Sequence, residues 1–399
     1  MKQGASGFEI TVLTGAVDSS LDLTNELRHV KAALLYADRV KLVSPKMAML
    51  EAASKLTTGS DSEFVDRLIY LATPLPQGPE IAAVASAIHR KKGQQRHPAM
   101  IAFDARMRAH LTATTRGQFE EIIERFRNQP GVGELYRARD AGVLELDGLD
   151  LDAVGLMFDS ISAAAGRPQR HRSDEYVSKL MTRVVDVIGP TEATYPLLDA
   201  QMIDLVRTVE KTSGAKLDGK SATEPHLAAF FVGEMASFPG AGMDEVLDVR
   251  KELDPQLVRF RSAVAGMARE VAETPIDASF ERIASALYRE RVAPELLAIE
   301  EIEKERGLFK QLGRQALSGE AAPDLATTVA TASLGLGATN YASLPNLAAA
   351  VGGLAGASLS SAYKVAAAVR RERERLADER RKNKFLFLVE ADRKLARNG

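Results

Sequence analysis

The sequence contains no cysteine and no tryptophan. Without cysteine there is no disulfide, no thiolate nucleophile, no iron–sulfur cluster and no Cys-rich zinc site. An excess of charge of one sign is missing too: 52 Lys and Arg stand against 54 Asp and Glu, a formal net charge of -2. That balance gives no general attraction to nucleic acid or to anionic membranes, so such binding needs a local patch. The opening Met1–Glu9 has no apolar core of signal-peptide length, which makes the cytoplasm the expected compartment. What is present is ordinary. With 45% hydrophobic and 27% charged residues over 399 positions, the chain can bury a substantial core and is not disordered throughout.

The first segment alternates between two periodicities. Phe8 to Val17 is short and rich in β-branched residues and reads as a strand. Leu23, Leu27, Val30, Leu34 and Leu35 recur at helical spacing, and Val40 to Ser44 reads as a second strand. Pro45 suits the first turn of a following helix, so strand, helix, strand, helix outlines a βαβ unit with parallel strands. Gly142 to Asp147 is a third strand candidate. Ser60 to Glu63 and Thr115 to Gln118 have capping-box spacing ahead of apolar helical patterns. From about 151 to 320 the patterns are helix after helix, including Asp199 to Val209, Met243 to Leu253 and one opened by Asp254-Pro255. Leu325 to Val369 is nearly all Ala, Gly, Ser, Thr, Leu and Val, and Arg370 to Lys384 is densely charged with an excess of base. A short apolar run, Phe385 to Val389, follows.

The expected fold is therefore predominantly α, an α-rich α/β chain. An N-terminal α/β-like region (1–150) with a small βα element precedes a multi-helix domain (151–320). An Ala/Gly-rich helical hairpin with a charged C-terminal helix (321–399) closes the chain.

One segment fits a phosphate-loop pattern, Gly214-Ala215-Lys216-Leu217-Asp218-Gly219-Lys220-Ser221. In such a loop backbone amides and Lys220 would hold phosphates, and Ser221 would hold Mg²⁺, making Gly214, Gly219, Lys220 and Ser221 the candidate cofactor-binding residues. The pattern needs a buried strand before it and a helix after it. Here a polar-faced helix precedes it, and Pro225 falls in the second turn of the following helix, so a polar inter-helix loop is the simpler reading. Two basic loops, containing Arg90, Lys91, Lys92 and Arg96, and Arg170 and Arg172, would form a phosphate or RNA patch if adjacent in space. Neither interleaves aromatics for base stacking, and solvated loops explain both. The Gly131-Val132-Gly133 and Gly335-Leu336-Gly337 fragments lack the third glycine of a dinucleotide fingerprint. The six histidines show no zinc spacing, and His29 lies within an amphipathic helix, where a structural part is favoured over acid–base use. Asp199 could border a metal but is also an ideal helix N-cap, which accounts for it. No catalytic residue, metal ligand or cofactor is nominated.

Leu344 to Val369 is long enough to span a bilayer and holds Gly352-x-x-x-Gly356, and the basic helix after it suits an anionic leaflet. Ala, Gly and Ser drive insertion poorly, which favours a packed soluble hairpin. Phe238 to Leu253 with Leu257 to Arg261, and Ala33 to Val40 with Val43 to Pro45, look similar to a family of uncharacterised bacterial proteins. That resemblance implies a bacterial cytosolic origin and transfers no catalytic residue. The leading expectation is a non-enzymatic interaction or regulatory protein of the bacterial cytoplasm, with a protein partner or self-association. The alternatives are a membrane-acting effector of a toxin or phage-defence system through residues 325–384, and a nucleotide- or nucleic-acid-processing enzyme.

Overall fold

A computed structural model of the chain describes residues 8–15, 22–58, 131–147, 195–213, 219–318 and 359–398, with scattered residues between 60 and 129 and at 182. The described residues are predominantly helical, with a small parallel sheet near the N-terminus. Strands β1 (Glu9–Leu13), β2 (Arg39–Val43), β3 (Leu144–Leu146) and β4 (Tyr195–Leu198) lie in the order β3-β2-β1-β4. All three pairings are parallel, with Ile10 opposite Val40, Val12 opposite Leu197, and Leu42 opposite Leu146. Ile10, Val12, Leu13, Val40, Leu42, Val43, Leu197 and Leu198 are all buried, as expected of parallel strands covered on both faces.

The periodicity placed β1, β2 and β3 within a few residues of where they are. Strand β4 is new, and Pro196 hides it, because proline removes a ladder donor. In β4 the Asp199 amide donates to Leu13 O, so by alternation the amides of residues 196 and 198 face away from β1. The missing N–H of Pro196 therefore falls on the open side of an edge strand, where it costs no sheet bond.

The chain divides into two compact units. The first comprises Met1–Glu252, Val264–Ala284 and Asp392–Gly399. In it α1 (Thr24–Leu34) connects β1 to β2, and α2 (Pro45–Thr57) follows with Ser44 as N-cap and Pro45 at its start. Helix α3 (Val132–Asp140) precedes β3. Gly131, its N-cap, sits at φ 91, a left-handed conformation that disfavours any side chain. Helices α4 (Ala200–Ser213), α5 (Lys220–Gly233) and α6 (Met243–Glu252) follow β4. Leu13, Val43, Leu198, Met202, Val206 and Ile276 form one apolar cluster beneath the carboxyl ends of the strands.

Helix α1 buries two charges, Glu26 and Lys31. Lys31 Nζ lies 2.8 Å from Glu134 Oε2 on α3 and donates to Ala241 O at 2.6 Å. Glu134 also accepts from the Met243 amide at 2.7 Å, so one ion pair fixes α1, α3 and the turn before α6. Arg250 on α6 donates to Asp38 O at 2.7 Å, and the Asp38 carboxylate takes the Phe8 amide. Residues 33–40 and 238–253 thus touch each other directly, through Asp38 and Arg250.

The second unit comprises Leu253–Ala263 and Ser285–Ala391. Helix α7 (Asp254–Glu270) begins in it, while α8 (Phe280–Leu287) ends at its edge and passes through a π turn into α9 (Ala293–Ser318). Helix α9 packs on α10 (Leu359–Lys382). Arg380 meets Glu303 at 2.8 Å and Asn383 meets Glu295 at 2.6 Å, so the two helices run antiparallel. The apolar run after the charged helix opens α11 (Leu386–Asn398) and is core: Phe387 stacks on Phe260 with ring centroids 5.4 Å apart. Among the described residues no helix is long and apolar enough to cross a membrane.

Removing Lys31 would strand Glu134 in a mostly buried setting. Lys31→Met is expected to cost about 3 kcal/mol in urea unfolding, and pairing it with Glu134→Gln to return part of that loss.

Candidate ligand site at the carboxyl edge of the sheet

Strands β1, β2 and β3 step outward in one direction, and β4 is added on the other side of β1. The β1–β4 boundary is therefore a topological switch point, where open parallel sheets leave a crevice at the carboxyl ends of their strands. Thr14 and Gly15 follow β1, Asp199 follows β4 and Ser44 follows β2. Asn25, Glu26 and His29 come from the first turns of α1.

Asp199 holds this edge together. Its Oδ1 accepts the Met202 amide at 2.7 Å, which caps α4, and both its oxygens accept from the Gly15 amide, at 3.2 and 3.1 Å. Asn25 Nδ2 donates to its Oδ2 at 2.9 Å. A Cβ on Gly15 would lie 3.0 Å from the Met202 nitrogen, so only glycine lets β1 end this close to the start of α4. Asp199 is thus an N-cap, as its sequence setting favoured, and a latch between two strand ends as well.

Glu26 is fully buried. Ser44 Oγ donates to its Oε1 at 3.1 Å, and Oε2 has no hydrogen-bond partner. Burial pushes this carboxyl above its usual range, with the negative Asp199 adding to the rise, against its own amide, Lys46 and Ser44, which pull it down. The Thr14 hydroxyl, also fully buried, has no partner either. Two open hydrogen-bonding positions therefore sit on neighbouring elements at the switch point. His29 places Nδ1 2.8 Å from Asn25 O, and desolvation lowers its pKa.

His226, on α5, closes the free side of β4. Its Nδ1 lies 2.7 Å from Ala222 O and its Nε2 accepts the Leu198 amide at 3.1 Å, while Phe280 stands edge-on to the ring. A neutral ring protonated on Nδ1 meets both contacts. Desolvation holds its pKa down to about 4, although bonds to Ala222 and Leu198 oppose the shift.

The glycine-loop residues lie elsewhere. Residues 214–218, Gly214 among them, fall outside the described residues. The element before them is helix α4, not a strand. Gly219 packs tightly, since a Cβ there would meet Ile276 Cδ1 at 2.9 Å. Lys220 Nζ donates to Val271 O at 2.6 Å, and Ser221 Oγ is buried in the first turn of α5 without a partner. Pro225 is accommodated inside α5, against the expectation that it would obstruct this helix; the helix begins five residues earlier, so the proline removes one bond near its start. Arg90, Lys91, Lys92, Arg96, Arg170 and Arg172 lie outside the described residues, as do Gly335 and Gly337 and residues 325–358 of the low-charge segment. Among the described residues, no three His, Asp or Glu side chains are grouped as a metal site requires.

Sequence reasoning singled out Asp199 and His29 but missed Thr14, Asn25, Glu26, Ser44 and His226. One signal existed: Glu26 interrupts the apolar stripe of Leu23, Leu27 and Val30, and a carboxylate on a core face needs a reason. Comparison with known proteins finds no match: no family model, no curated protein and no solved structure aligns with this chain.

The His226 geometry gives a pH dependence with a definite sign. Its folded pKa of about 4 lies below the ordinary 6.5, so unfolding takes up a proton between those values. The stability it contributes is complete above pH 6.5 and is lost as pH falls towards 4. Urea unfolding of wild type and His226→Gln across that window should show the wild type losing up to about 3 kcal/mol more.

Proposed function

We propose that this protein is a ligand-responsive regulatory or interaction protein, without catalysis of its own, whose first unit binds a small polar molecule at the carboxyl edge of its sheet. The observation that carries this reading is the pair of fully buried, unpartnered polar groups, Glu26 Oε2 and Thr14 Oγ1, at the strand ends beside the switch point. Buried polar atoms are nearly always hydrogen-bonded, and leaving one unmade costs about 1–3 kcal/mol. A ligand at a switch point would satisfy both. Binding is favoured over turnover because the other polar groups are committed: the Asp199 oxygens to three donors, and His226 to holding an edge strand. A protein partner, or a second copy, fits the second unit, where α10 exposes charges of both signs, Arg371 and Arg373 beside Glu374, Asp378 and Glu379.

The test is thermal unfolding of the full chain with adenosine, AMP, ATP, NAD, putrescine and inorganic phosphate. A ligand at about 100 times its Kd should raise stability by about 2.7 kcal/mol, and Asn25→Ala should reduce that gain. No shift with any probe would remove the site. A shift with ATP that Lys220→Ala abolishes and Asn25→Ala leaves intact would move binding to the Gly214–Ser221 loop and overturn this reading.

A further inference from the structure

A cavity of about 390 Å³ lies within the first unit, lined by Glu51 and Ser54 of α2, Tyr136 and Arg139 of α3, and Arg127. None of these residues belongs to the carboxyl-edge group. Its size is that of a site for a small molecule, about 300 Å³ or more. Glu51 and Ser54 are one turn apart on α2, as are Tyr136 and Arg139 on α3, so each pair shares a helix face. Val132, Leu135 and Ala138 are buried and seat α3. Arg127 comes from the turn before α3, where the Asn128 amide donates to Glu124 O and buried Ile123 and Phe126 anchor the chain. Arg127 reaches α2 and donates to Ser54 Oγ at 3.1 Å. Arg139 lies 4.4 Å over the Tyr136 ring centroid and 3.8 Å from the Glu51 carboxylate.

These cations are incompletely matched. Ser54 offers Arg127 a neutral oxygen, and among the described residues no carboxylate pairs with that guanidinium, so most of its donor fork is open. Arg139 uses Nε and one terminal nitrogen on exposed Asp140, its own chain neighbour, where solvent weakens the pair. Its contact with Glu51 is too long for a hydrogen bond, which leaves Nη1 available. The Tyr136 hydroxyl has no hydrogen-bond partner among the described residues. Desolvation raises its pKa and Glu51 adds to the rise, against Arg127 and Arg139, so it stays protonated and able to donate.

We propose that this cavity is an anion site, in which Arg127 and Arg139 hold a phosphate group, free or on a small phosphomonoester, with the Tyr136 hydroxyl as a further donor. Guanidinium forks suit phosphate because they donate in parallel pairs to its oxygens. A phosphate spreads its charge over more oxygens than a carboxylate, and two forks from separate elements reach more than one side of it. Glu51 works against the anion and limits its affinity. Stacking on Tyr136 holds Arg139 in place before the ligand arrives, which lowers the cost of ordering it.

Isothermal titration calorimetry of the full chain with inorganic phosphate, at ionic strength fixed by chloride, tests this. Saturable binding is expected, weakened about tenfold by Arg127→Gln or Arg139→Gln and several-fold by Tyr136→Phe. Glu51→Gln should tighten it about threefold, by removing a nearby like charge. Arg137→Gln, an exposed arginine of α3 outside the cavity, and Asn25→Ala should leave it unchanged. Arg127 and Arg139 are both exposed, so their variants keep the fold, and an unchanged urea midpoint verifies it. Tighter binding of ribose 5-phosphate than of phosphate identifies a phosphomonoester as the ligand, and the reverse identifies the free ion. Absence of heat with both probes overturns the site. Equal loss on Arg137→Gln reduces it to diffuse surface charge, and equally tight acetate binding refutes the phosphate assignment. Loss on Asn25→Ala but not on Arg127→Gln returns the phosphate to the carboxyl edge and overturns this proposal alone.

Discussion

The architecture of the first unit depends on one carboxylate. Asp199 caps α4, receives the amide that ends β1 and is steadied by Asn25 of α1. Each contact alone is a modest stabilisation, on the order of 1 kcal/mol for a typical hydrogen bond and somewhat more for a charged acceptor. Their combination matters more than their sum. They tie three separate elements together at the one place where the sheet reverses its order.

The polar groups of α1 divide into those the protein satisfies and those it leaves open. Lys31 has an ion-pair partner and a carbonyl, and its surroundings are structural throughout. Glu26, five residues earlier and also buried, has only one of its oxygens served. A fold that satisfies one buried charge this fully and leaves its neighbour half-paired is the basis for reading the carboxyl edge as a place of binding. The second unit shows the contrast again. Its half-buried arginine, Arg380, is closed by Glu303 and Glu390, and its apolar run is consumed by stacking on Phe260.

Much of the fold was legible, and the reasons are local. Short β-branched segments bounded by turn residues gave β1 and β2, and Pro45 after Ser44 marked the start of α2. The Asp254-Pro255 pair marked the start of α7, and Met243 to Leu253 coincides closely with α6. Strand β4 was not legible, because Tyr195-Pro196-Leu197-Leu198 is short and contains a proline that argues against a strand. Only its position at a sheet edge, with the outward amide of Leu198 taken by His226, makes that proline harmless.

The candidate site follows the same division. That Asp199 would cap a helix could be seen from its place before an apolar helical pattern, because capping is a contact between residues three apart. That the same carboxylate would also hold Gly15, 184 positions earlier, could not be seen, because local spacing does not say which distant strand comes to lie beside β1. The helical character, the parallel pairing of β1 with β2 and the lack of thiol chemistry could all be read from the residues in order. Those properties reside in composition and short-range periodicity. Tertiary structure alone decided that Thr14, Glu26, Ser44 and Asp199 would share one edge, since each is brought there by a different element, and only the order of the strands makes those elements neighbours.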